Sequence, residues 1–270
     1  MHSRHLAPAA EAFDAVADRF DERFGGWLSV AAQRRAVRTQ LLHAFPEGSR
    51  ILELGGGTGD DAEWLTRHGR TVQLTDASPA MVRIASRKLA GTGAPTPRIV
   101  AAEDIGSLAP GLGMFDGAFS NFAGLNCVRD LGATARGLAG LVRSNGCALL
   151  VVFGKHSVGE WVVELVRGRP RSAARRFSRS EVPARLGGCH FTVTYHTRAD
   201  IARAFAPWFT LTARHGIGIM VPPSAAEPWV SKYPRIVHAL ERCDSVLAAP
   251  CAALADHVLY ELRRTTVPLS

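Results

Sequence analysis

Residues 51–61, Ile-Leu-Glu-Leu-Gly-Gly-Gly-Thr-Gly-Asp-Asp, gather four glycines and three acids into eleven positions. An apolar run carrying Glu53 breaks at Gly55-Gly56-Gly57, and Ala62, Trp64 and Leu65 then restart an apolar pattern at helical spacing. That order predicts a buried parallel strand, a tight turn and a helix N-terminus. Glycine permits positive φ and lets a ligand approach the backbone closely. The free N–H groups opening the helix suit an anionic group such as a carboxylate. A dinucleotide turn has the spacing G-x-G-x-x-G, with a pyrophosphate on the helix N-terminus. Here the spacing is G-x-G-x-G, and Glu53, Asp60 and Asp61 would repel a pyrophosphate in a poorly screened cleft. A ligand with a cation beside its carboxylate tolerates those acids.

The next candidates follow at strand ends. Thr71 to Thr75 reads as a second strand ending in Asp76-Ala77, and an acid about 20 residues beyond the glycines suits ribose hydroxyls. Ser78-Pro79 starts a helix with Met81, Ile84 and Ala85 inward. Arg98 to Ala102 reads as a third strand running into Glu103-Asp104-Ile105. Phe115 to Phe122 reads as a fourth, and Asn121, Phe122, Leu125 and Asn126 follow at its end. A helix over 130–142 and a turn at Arg143–Gly146 precede Cys147 to Phe153, an apolar run expected of a strand covered on both faces. Five strands alternating with helices give a parallel, doubly wound sheet. Ligands of such sheets sit at the C-terminal strand ends, where all these residues fall.

Glu53-x-Gly55-x-Gly57-x-Gly59 resembles the first motif of class I S-adenosylmethionine-dependent methyltransferases. Phe13-Asp14 and Phe20-Asp21 resemble the paired Tyr-Asp segment that small-molecule members fold over the cofactor, with phenylalanine here removing a hydroxyl. Ala102-Glu103-Asp104-Ile105, Phe115-Asp116 with Ser120, and Arg143-Ser144-Asn145-Gly146 resemble later motifs of the family. Ala101 stands where an acid is usual, so either Glu103 or Asp104 is left to face the adenine. The resemblance implies S-adenosylmethionine as cofactor and S-adenosylhomocysteine as product. It implies cofactor contacts from Phe20, Glu53, Gly55, Gly56, Gly57, Thr58, Gly59, Asp60, Asp76, Ala77, Glu103, Asp104, Ile105, Asn121 and Phe122. The implied fold is α/β and Rossmann-like. Its seven-stranded, mostly parallel sheet has an antiparallel last strand, helices on both faces and a cap made by insertions.

Along the chain this means an N-terminal helical lid at 1–45, with helices over 11–24 and 30–44, and a cofactor-binding core at 46–155. A cap insertion spans 156–196, and the end of the core sheet spans 197–270. The cap reads as a short apolar helix, Trp161 to Val166, a basic stretch, and a strand over 189–196. The basic stretch holds Arg167, Arg169, Arg171, Arg175, Arg176, Arg179 and Arg185. These arginines can receive a phosphate, an acidic metabolite, a carrier protein or RNA; the plainer reading is a solvated face. A helix at 197–206, a strand at 208–220 and a last strand at 257–263 complete the core. A second insertion at about 222–250 carries a helix near 233–247.

Methyl transfer is an in-line displacement at carbon, so alignment of the acceptor is the enzyme's main contribution. A hydroxyl acceptor also benefits from a general base, most often His. His190, His196 and His215 are the candidates, with Tyr195 and Asn126 nearby; His196, just before the final core helix, is the first choice. His196→Ala is expected to cut turnover far more than cofactor affinity. No clustered metal-ligand pattern appears, so no metal is expected.

At 270 residues with 47% apolar composition, the chain can bury a sizeable core. No stretch approaches a membrane span, and Met1 to Ala10 lacks an apolar signal core. Five scattered cysteines without a C-x-x-C pair suit a reducing compartment, with the cytoplasm as default. Net charge is +8, almost wholly from arginine, since Lys88, Lys155 and Lys232 are the only lysines. The resemblance implies a small-molecule methyl acceptor, with the setting in secondary metabolism. The alternatives are RNA or protein methylation docked through the arginines, a non-catalytic cofactor-binding partner subunit, and, poorest of all, a dehydrogenase.

Overall fold

A computed structural model describes residues 6–122, 124–178 and 181–268. Nine strands are present among them: β1 Arg50–Leu54, β2 Thr71–Asp76, β3 Arg98–Ile99, β4 Phe115–Ser120, β5 Val142–Phe153, β6 Val182–Leu186, β7 Cys189–Val193, β8 Phe209–Ile217 and β9 His257–Arg264. Seven form one sheet in the order β3-β2-β1-β4-β5-β9-β8. The pairs from β3 to β5 are parallel, and β9 runs antiparallel between β5 and β8. This is the doubly wound sheet that the alternating pattern predicts, with its order reversing between β1 and β4.

The side chains of β1 show why the sheet is covered on both faces. Successive strand residues point to opposite sides. Leu52 and Leu54 pack with Leu131, Leu138, Ile201 and Phe205 from helices Leu131–Ala139 and Arg198–Phe205. Ile51 packs the other way, with Val37 and Leu41 of helix Leu28–Ala44, Leu65 of helix Asp60–Arg67 and Ala85 of helix Pro79–Leu89. Helices on both faces leave the C-terminal strand ends as the open edge.

Several local expectations shift. The N-terminal segment breaks into a helix at Pro8–Asp14, a single 3-10 turn and a helix at Phe20–Gly25, instead of one helix over 11–24. Pairing in β3 stops after Ile99, and the chain enters a 3-10 run at Ala102. The helix expected to reach 142 ends at Ala139, and Val142 already pairs with Phe115. Pairing then jumps to Gly117–Cys147, so the expected turn at 143–146 is a bulge inside β5, with Asn145 at φ 63°.

The cap holds helix Val158–Val166 and an antiparallel hairpin of β6 and β7. The sequence shows β7 by its alternation but not β6, whose exposed arginine and proline mask the pattern. The hairpin meets the N-terminal segment, with the Phe13 and Phe191 ring centroids 6.1 Å apart. The second insertion carries helix Pro234–Leu247 and buries Val221, Ala226, Val230 and Val237 against Ala32. No helix of the described residues is long and apolar enough to cross a membrane.

Candidate active site

The turn after β1 is built from glycines that cannot be replaced without moving the site. Gly59, at φ 86°, is the N-cap of helix Asp60–Arg67, a left-handed position that glycine occupies freely. A Cβ on Gly56 would lie 2.6 Å from the Leu74 side chain and 2.8 Å from the Glu53 carboxyl carbon. The Gly57 N–H donates to Asp76 Oδ2 at 2.9 Å, and Ser78 N donates to Asp76 Oδ1 at 2.8 Å. The turn and the end of β2 are therefore one hydrogen-bonded unit.

The acids around this turn divide into two kinds. Asp60 is paired with Arg34 and Lys88, and Asp61 accepts from Arg38 at 2.8 Å and from Asn121 at 2.7 Å. Glu53 is different. It is buried, and its Oε2 has no partner among the described residues. Burial, then the neighbouring charge of Asp61, pushes its carboxyl well above the usual range, against the opposing pull of Arg34. Burial also raises Asp76, partly offset by the N–H groups of Ser78 and Gly57. Of the three acids, Glu53 alone keeps an unspent carboxyl oxygen among the described residues, which a ligand ammonium would satisfy.

The Phe-Asp pairs of the N-terminal segment have distinct jobs. Asp14 accepts from Ser78 Oγ and Ala80 N, both at 2.7 Å, at the start of helix Pro79–Leu89. Asp21 accepts from Thr58 Oγ1 at 2.5 Å and from Lys88 Nζ at 2.8 Å. Each aspartate thereby fastens the segment beside the Gly-rich turn, and Phe13 and Phe20 reach the cavity beneath.

That cavity holds about 440 Å³, within the usual small-molecule range of roughly 300–1,000 Å³. It brings together Phe20, Glu53, Gly55, Gly56, Gly57, Thr58, Asp60, Asp76, Ala77, Glu103, Asn121 and Phe122 from the sequence-predicted set. Gly59, Asp104 and Ile105 do not line it: Gly59 packs on Ala85, Asp104 is exposed and Ile105 is core. Of the two acids left open by sequence, Glu103 is the one on the cavity. Phe122 sits at φ 48°, unusual for a bulky residue, with the Arg34 guanidinium 4.9 Å from its ring centroid.

The three residues expected to act on the acceptor are not among the lining. Asn126 donates to Thr194 O at 2.6 Å and accepts from Phe153 N at 2.9 Å, tying the end of β5 to the strand leaving the cap. Tyr195 is buried near the Arg176 guanidinium, 5.5 Å from its ring centroid. Burial lowers the His196 imidazole below its ordinary range, and its Nε2 is enclosed without a partner among the described residues. Of the other two histidine candidates, His190 is exposed on β7 and His215 lies within β8; neither lines the cavity.

The histidine on the cavity is His257, which sequence reading absorbed into a core strand. In register with Phe153 of β5, it sits where β9 begins at the sheet's ligand-binding edge. Its ring lies 4.9 Å from Phe153 at 30° and 6.0 Å from Phe122, edge-on. Nδ1 is 3.2 Å from Asp256 Oδ2, inside ion-pair distance but without the alignment of a hydrogen bond. Asp256 is itself held by Arg176 at 2.8 Å, Ser157 at 3.2 Å and Gln33 at 3.3 Å. Burial would raise its carboxyl, but His257 and Arg176 hold it well below the usual range. An acid immediately before a histidine at the start of a last strand was the available signal.

Arg176 also pairs with Glu160, and Arg175 bonds the same carboxylate at 2.8 Å. Arg167 and Arg169 pair with Glu164. Most of the basic stretch is thus spent inside the cap. Arg185 lines the cavity mouth, and Arg179 lies outside the described residues. No group of three or more His, Cys, Asp or Glu side chains is placed to hold a metal among the described residues, and all five cysteines are free.

Residues 51–146 match the family model for a methyltransferase domain. Over 90 residues the chain is 31% identical to the demethylmenaquinone methyltransferase of Tropheryma whipplei; the match spans 33% of this chain and 37% of that protein's length. Among solved structures, the chain is similar to DhpI in complex with S-adenosylhomocysteine, with TM-score 0.57 and 16% identity, covering 96% of this chain and 97% of that one. It is also similar to an S-adenosylmethionine-dependent methyltransferase of Mesorhizobium loti, with TM-score 0.55 and 20% identity, covering 88% and 100%. Residues 51–146 are thus a methyltransferase domain, and the sheet order is the fold of the S-adenosylmethionine-dependent methyltransferases that the chain is similar to.

Proposed function

We propose that the protein transfers a methyl group from S-adenosylmethionine to a small molecule bound beneath the N-terminal segment and the cap. The observation that carries this reading is the single cavity in which the unpartnered Glu53 carboxyl, the Gly-rich turn and Asp76 meet. When bound, the cofactor supplies an activated methyl group on a sulfonium. Glu53 would receive its ammonium and Asp76 its ribose hydroxyls. Glu103, in the 3-10 run that follows β3, would reach the adenine end. Asn121 and Phe122 would shape the floor beneath the reacting sulfur, and Phe13 and Phe20 would exclude water from above.

Phe24, Phe122 and Phe153, beside Val30, make the cavity of about 440 Å³ partly aromatic. That supports a small acceptor over a macromolecule. The paired state of Arg167, Arg169, Arg175 and Arg176 supports the same choice, because a polyanion-docking face needs unspent cations. The Tropheryma whipplei match spans 33% of this chain and 37% of that protein's length, and carries no acceptor across. Incubation with methyl-labelled S-adenosylmethionine and separate pools of small metabolites, RNA and protein tests the proposal. Label entering the metabolite pool is the expected result. Label entering only RNA or protein would overturn it.

A further inference from the structure

We infer that His257 is the general base for an acceptor with a phenolic hydroxyl, and that Asp256 is its positioning residue; this rests on the methyltransferase reading above. The cavity wall offers one imidazole among the described residues, and it is buried. Asp256 faces its Nδ1, while no described residue hydrogen-bonds its Nε2. A carboxylate beside Nδ1 favours the tautomer that keeps the proton there and leaves the Nε2 lone pair free.

The surroundings make Asp256 a poor proton acceptor and a good counter-charge. It is 3% exposed and receives Arg176, Ser157 and Gln33, from the cap, the start of helix Val158–Val166 and helix Leu28–Ala44. The other charged groups around the pair are Glu160 behind Arg176, Arg175 beside it, and Arg34 over the far side of Phe122. Neutral amines need no base to attack a sulfonium methyl, whereas a hydroxyl must lose its proton. A built base therefore points to an O–H acceptor. The edge of Phe122 and the wall of Phe153 beside the imidazole suit a flat aromatic ring, which selects a phenol.

The phenolic oxygen forms a bond to the methyl carbon as the carbon–sulfur bond breaks, and that electron pair stays on sulfur, giving a neutral thioether. The O–H proton passes to Nε2 of His257, leaving an imidazolium beside the Asp256 carboxylate. Solvent removes the proton after the aryl methyl ether departs.

The test uses the full-length protein, labelled with ¹⁵N, and reads the His257 tautomer from two-bond proton–nitrogen correlations at neutral pH. The expected result is a tautomer with the proton on Nδ1, whose ratio moves by roughly tenfold toward Nε2 protonation in Asp256→Asn. A wild-type ring protonated on Nε2 overturns the assignment. Titration of the same sample with S-adenosylhomocysteine separates the two levels: lost binding sinks the methyltransferase reading, whereas intact binding with the wrong tautomer sinks only the base. A panel of phenols, aliphatic alcohols and amines with methyl-labelled S-adenosylmethionine supplies the second readout. Transfer to phenols is expected to fall roughly 100-fold in His257→Gln, with S-adenosylhomocysteine affinity kept within about threefold. Undiminished transfer in that variant, or no wild-type transfer to any phenol, overturns the proposal.

Discussion

Glu53 combines two costs that a ligand relieves: it is buried, and one oxygen has no partner among the described residues. Its folded pKa is raised, so the stability it contributes is fully present below its unfolded value of about 4.3 and lost as pH rises through the folded one. Glu53→Gln is therefore expected to raise the ligand-free Tm at neutral pH, by roughly 2–4 °C for each kcal/mol recovered. It should also flatten the decline of stability with rising pH, while weakening S-adenosylhomocysteine binding. Thermal scans across pH and calorimetry check both signs; a lower Tm with unchanged affinity would refute the role. Asp76→Ala removes the acceptor of Gly57 N–H as well as a ligand contact. Loss of hydrogen bonds to a charged group costs about 1.5–3 kcal/mol, so affinity should fall roughly 10- to 100-fold.

Elements decide which of these residues meet, and here sequence and structure part company. The strand–turn–helix of residues 50–67 is legible because everything it needs is local: apolar run, glycines, helix restart. The Phe-Asp pairs are also legible as a motif, but their anchoring on Ser78, Ala80, Thr58 and Lys88 is not, since those contacts span 37–67 residues. Asp14→Ala should loosen this segment, costing about 1 kcal/mol as for a lost helix cap, and speed exchange of the amides in 8–25. The cap was least legible. Arg176 reads as one of a run of surface arginines, yet it is 3% exposed and bonds Asp256, 80 residues on. His257 reads as one more residue of an alternating strand, and only its register with Phe153 brings it to the cavity. Breaking a buried pair leaves an uncompensated charge, at about 3–5 kcal/mol. Arg176→Met should thus lower Tm by roughly 10 °C, measured by calorimetry. A shift near zero would mean that the cap is not fastened through this residue.

For the whole molecule, sheet order and cavity agree with the expectation that ligands gather at the C-terminal strand ends near the order reversal. Net charge of +8 invites a polyanion, but much of the cap's share is neutralised within it. RNA binding should accordingly be weak and sequence-independent, vanishing as salt is raised in a filter-binding titration. Tight binding that survives high salt would contradict this. The central claim is that Glu53, the Gly-rich turn and Asp76 form a site for S-adenosylmethionine. Calorimetric titration of the full-length protein with S-adenosylhomocysteine tests it most directly. Saturable one-to-one binding that Asp76→Ala weakens is the predicted result; absence of binding even at millimolar ligand, or binding indifferent to Asp76, would contradict it.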